Sequence, residues 1–123
     1  MTLAREIEAF GRRLGLQGLH LGEEGAASLR IDADKTLTLQ MGAGNQSHVL
    51  LMTLAVPVPS AEAAEVYERS LERASVDEAP SIPFSVGMNR ERLVFGVRLR
   101  EAAASAAALE NAFRFLLAQV PAA

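Results

Sequence analysis

Ser28-Leu29-Arg30-Ile31-Asp32-Ala33-Asp34-Lys35-Thr36-Leu37-Thr38-Leu39-Gln40-Met41 holds two short alternations joined by a turn. Leu29 and Ile31 fall on one side of an extended chain, with Ser28 and Arg30 on the other. Leu37, Leu39 and Met41 then alternate with Thr36, Thr38 and Gln40. A period of two marks a strand with one covered face. Asp32-Ala33-Asp34-Lys35 reads as the turn, because Asp tolerates turn geometry and hydrogen-bonds its own backbone. Gly42-Ala43-Gly44-Asn45 is a second turn, and residues 48–56 are apolar on both parities. That pattern suits a strand covered on both faces or central in a sheet. The stretch predicts an antiparallel meander of three strands, or four if Leu19 and Leu21 flank His20 in a short edge strand.

Helical periods surround this meander. Leu3, Ile7, Phe10 and Leu14 recur at spacings of four, three and four, which predicts a first helix over 3–14. Thr2 is its N-cap, Arg12 and Arg13 suit its C-terminal end, and Gly15 suits the C′ position. Pro57 and Pro59 end the third strand, and Ser60 is the N-cap of a second helix over 61–74. Ala63, Ala64, Val66, Tyr67 and Leu71 give that helix an apolar stripe of mostly small residues. Residues 75–81 form a polar loop. Phe84, Val86 and Met88, then Leu93, Phe95, Val97 and Leu99, alternate on either side of Asn89-Arg90-Glu91 and predict a hairpin. An alanine-rich helix begins at Glu101, with Leu109, Phe113, Leu116 and Val120 on one face, and Pro121 ends it. The expected class is α+β: helix, three-stranded meander, helix, two-stranded hairpin, helix, with an antiparallel sheet packed by helices. A chain of 123 residues fits a single domain, residues 1–123, with no repeat or linker to divide it.

Composition narrows the function. Half the residues are hydrophobic and 22% are charged, which is ordinary for a globular domain. The net charge is −3, and Arg12-Arg13 and Arg98–Arg100 are too short as basic clusters for a nucleic-acid face. Val49–Val58, the longest apolar stretch, is interrupted by Thr53 and Pro57 and falls well short of the ~20 residues of a membrane span. The first eight residues carry acids where a signal peptide would carry its apolar run, so the expectation is a cytoplasmic protein. With no cysteine, disulfides, thiolate metal sites and thiol nucleophiles all fall away.

The search for chemistry finds only isolated residues. His20 and His48 lack partners at a recognisable ligand or acid–base spacing. Asp32-Ala33-Asp34 resembles the start of a calcium loop, but the following glycine and distal Glu are missing, and a turn explains both acids. Gly42-Ala43-Gly44 lacks the third glycine of a dinucleotide loop. No serine sits in a nucleophile elbow, and Glu23-Glu24 is a carboxylate pair by adjacency alone. No catalytic residue, metal ligand or cofactor is assigned. The expectation is a non-enzymatic domain whose surplus apolar surface meets a partner.

Several stretches resemble one family. Phe10-Gly11-Arg12-Arg13-Leu14-Gly15-Leu16, Leu21-Gly22-Glu23-Glu24-Gly25, Ser28–Asp32 and Leu37-Thr38-Leu39 look like the opening of class I type III secretion chaperones of the CesT and SycE type. Residues 61–74, with Glu68-Arg69-Ser70-Leu71-Glu72-Arg73, resemble their central helix. Glu91-Arg92-Leu93-Val94-Phe95 and the helix after it resemble their last hairpin and helix. The likeness covers nearly the whole chain and rests on element order and loose Leu, Gly and Asp patterns; the two prolines of residues 76–83 depart from it.

It implies a homodimeric cytoplasmic virulence chaperone that holds the N-terminal region of a secreted effector extended and secretion-competent, without ATP. It also implies effector contacts at Leu3, Ile7, Leu29, Ile31, Leu39 and Met41, and a dimer contact at Ala64, Tyr67 and Leu71. An extended segment could lay side chains into grooves or add a strand to a sheet edge. Two alternatives stay open: a regulatory adaptor on the same fold that binds a transcription factor or another chaperone, and a small enzyme or ligand-binding domain with a pocket at His20 or His48.

Overall fold

The computed structural model describes residues 2–32, 34–42, 48–57, 65, 68, 85–89 and 92–120. Helix α1, Leu3–Arg13, is followed by strands β1 (Ala26–Ile31), β2 (Lys35–Met41) and β3 (Val49–Pro57). After residues 58–84 come β4 (Ser85–Asn89), β5 (Arg92–Arg100), a 3-10 turn at Glu101–Ala103 and helix α2, Ala106–Gln119. Of the helix expected over 61–74, Glu65 and Glu68 are described, both helical and exposed. Its remaining residues and the loop 75–81 lie outside the described residues.

The five strands form one antiparallel sheet in the order β1-β2-β3-β5-β4. The strand at residues 49–57 is its centre, as its double-sided apolarity predicts. The register lines up the alternating apolar residues across the sheet. Leu29 faces Leu37, Leu37 faces Leu54, Leu54 faces Phe95 and Phe95 faces Val86. In the next row Leu39 pairs with Met52 and Met52 with Val97. Because side chains alternate across a strand, these rows share one face, and a slip of one residue would turn them all to the other.

Both helices cover that face. Ile7 and Phe10 of α1 and Leu109, Phe113 and Leu116 of α2 join Leu37, Leu39, Leu50, Met52, Leu54, Leu93, Phe95 and Val97 in a single buried cluster. Phe10 meets Phe113 edge-on, with ring centroids 6.1 Å apart and planes at 74°. Full burial of each such side chain contributes about 1.5–3 kcal/mol.

The first helix ends as its sequence suggests. Thr2 Oγ1 accepts from the Arg5 N–H, and Gly15 takes a left-handed φ of +83°. Gly15 N–H then bonds the Arg12 carbonyl and Leu16 N–H the Gly11 carbonyl, the paired reverse bonds of a Schellman end.

The last helix starts later than expected. The chain makes a 3-10 turn at Glu101, buries Ala104, and begins α2 only after Ser105. Ser105 Oγ accepts from the Ala108 N–H, and Glu6 of α1 reaches across to accept from the Ala106 N–H at 2.8 Å. Alanine propensity does not distinguish residue 101 from residue 106, and the two oxygen acceptors mark the start. The connection between α1 and β1 is irregular, so the meander has three strands and Leu19 and Leu21 belong to no strand.

Candidate functional site

Among the described residues strand β1 pairs only with β2, which makes it one edge of the sheet. Gly25 and the odd residues after it face β2, since the Gly25 carbonyl takes the Met41 N–H. The alternation of an antiparallel ladder then turns the N–H and C=O groups of Ala26, Ser28 and Arg30 outward. The Ala26 carbonyl is occupied by the Gly22 N–H at 2.9 Å, which closes the start of the edge. Ser28 and Arg30 continue it with their backbone groups directed away from the sheet.

An open groove of about 450 Å³ runs beside this edge, lined by Leu16, Gln17, Leu19, His20, Ala27 and Ser28 among others. Leu16 is 38% exposed, the one exposed large hydrophobic among the described residues. The groove owes its wall to a close approach. A Cβ on Gly11 would stand 2.7 Å from the Leu19 Cβ, so only glycine lets the connection fold back onto α1 this tightly. The Schellman end at Gly15 turns the chain into that path.

The expected effector-contact residues divide by burial. Ile7 is 1% exposed and Leu39 is fully buried, and both belong to the core cluster. Leu3, Leu29, Ile31 and Met41 are half-buried and pack at its margin. Ala64, Tyr67 and Leu71 lie outside the described residues. Leu16, Leu19 and the outward backbone of Ser28 and Arg30 escaped the sequence reading. Three glycines interrupting leucines ahead of an edge strand are the only signal that pointed to them.

The polar residues singled out in the sequence have local partners. His20, in the groove wall, is exposed, with Nδ1 2.8 Å from the Gly18 carbonyl. His48 is exposed, with Nδ1 3.7 Å from Glu101 Oε2. Asp32 adopts φ +57° in the β1–β2 turn, and Lys35 Nζ lies 3.6 Å from its carboxylate and 3.4 Å from that of Asp34. Exposed pairs of this kind contribute at most about 1 kcal/mol. Among the described residues no group of three His, Cys, Asp or Glu could hold a metal ion, and no helix is long and apolar enough to cross a membrane. An edge strand with outward backbone groups beside an open groove of mixed polar and apolar lining is suited to binding an extended polypeptide.

Residues 5–122 match the model of the Tir chaperone protein (CesT) family. No curated protein sequence matches the chain. Among solved structures it resembles the Yersinia pestis type III secretion chaperone SycH, whose structure is of a complex with a fragment of YscM2. The TM-score is 0.72 at 14% identity, over 96% of each chain. It also resembles a chain of the HopA1–SchA chaperone–effector complex, with TM-score 0.71 and 16% identity, over 93% of this chain and 86% of that one. A chain of the ExsC–ExsE complex gives 0.68 and 22%, over 96% and 90%.

Proposed function

The chain belongs to the Tir chaperone protein (CesT) family, and from that membership we propose that it is a cytoplasmic, non-enzymatic chaperone for a type III secreted effector. It binds the N-terminal region of the effector in extended form and keeps it secretion-competent without ATP. The similarity in fold to a chain of the HopA1–SchA chaperone–effector complex supports the reading. The carrying observation is the β1 edge, with Ser28 and Arg30 turned outward beside the Leu16–Leu19 groove. An effector strand would bond those two residues, set an apolar side chain against Leu16, and extend its contacts to half-buried Leu29, Ile31, Met41 and Leu3. The Gly22–Ala26 bond limits the addition to the C-terminal part of β1.

Co-expression with the N-terminal segments of candidate effectors tests this. The expected result is a soluble complex with at least one of them. The Ser28→Pro variant removes an outward N–H and keeps the main-chain β1–β2 ladder, as proline permits on an edge, at the loss of the 3.2 Å hydrogen bond between the Ser28 and Thr38 hydroxyls. Loss of one or two main-chain hydrogen bonds should weaken binding about tenfold. Failure of the whole effector set would overturn the assignment; a complex indifferent to both Ser28→Pro and Leu16→Asp would overturn the site.

Homodimerisation through Ala64, Tyr67 and Leu71 is part of the same reading, supported by the small-residue stripe in the sequence. Light scattering at micromolar concentration should give twice the mass of 13.1 kDa, and a monomer would remove that element.

A further inference from the structure

No further inference is drawn: the strongest candidate, the outer face of the sheet around half-buried Leu51, Ala55 and Val94 with exposed Arg92 and Arg98 at its rim, carries nothing because no described residue shows what covers it.

Discussion

Glu6→Ala should destabilise the protein by about 1–1.5 kcal/mol, although it removes a side chain from a helix surface. The Glu6 carboxylate accepts from the Ala106 N–H at 2.8 Å, one of the four N–H groups that the start of α2 cannot satisfy internally. Ser105 Oγ serves Ala108 in the same turn. A hydrogen bond to a charged group contributes about 1.5–3 kcal/mol when buried. This one is part-buried, so water can replace Glu6, and the lower end applies. The helix dipole adds about 0.3–1 kcal/mol, partly the same interaction. Alanine returns a few tenths of a kcal/mol through its better helix propensity. Glu6→Gln keeps an acceptor oxygen and should lose about half as much. Glu8, exposed on the same helix, is the control, and Glu8→Ala should stay within about 0.5 kcal/mol of wild type. Urea unfolding followed by far-UV circular dichroism, with a common slope, measures all three. If Glu6→Ala and Glu8→Ala coincide within about 0.5 kcal/mol, Glu6 does not join α1 to α2.

Gly11→Ala should be destabilising despite glycine's poor helix propensity. The propensity gain of about 1 kcal/mol is outweighed by overpacking against the Leu19 Cβ, which costs about 1–3 kcal/mol and shifts the groove wall; a stabilised variant would contradict the close approach. Leu54→Ala removes a fully buried residue from the centre of the sheet and should cost about 2–5 kcal/mol by the same urea titration. A cost below about 1 kcal/mol would mean that β3 is not the core strand.

The meander was legible because Leu29 and Ile31, then Leu37, Leu39 and Met41, keep a strict period of two, and the register sets Leu29 opposite Leu37, Leu37 opposite Leu54 and Leu39 opposite Met52. α1 was legible from its spacing and from the Thr2 and Gly15 caps. The start of α2 was not, since an alanine-rich run carries the same propensity at residues 101 and 106. Its boundary depends on Glu6, one hundred residues away. The candidate site was legible only in outline. Periodicity groups Ile7 and Leu39 with Leu3 and Met41, but it cannot separate the core from its margin. That separation depends on where the helices lie on the sheet. The edge groove depends on Leu19 folding back onto Gly11 through an irregular connection, a contact that no helical or strand period announces.

Hydrogen exchange of the backbone amides, with and without a bound effector segment, tests the central claim most directly. The account predicts that the amides of Ser28 and Arg30, turned outward on the β1 edge, become protected in the complex, while those of Leu37 and Leu54 inside the sheet are protected in both states. A stable complex in which Ser28 and Arg30 exchange as fast as in the free protein would contradict it.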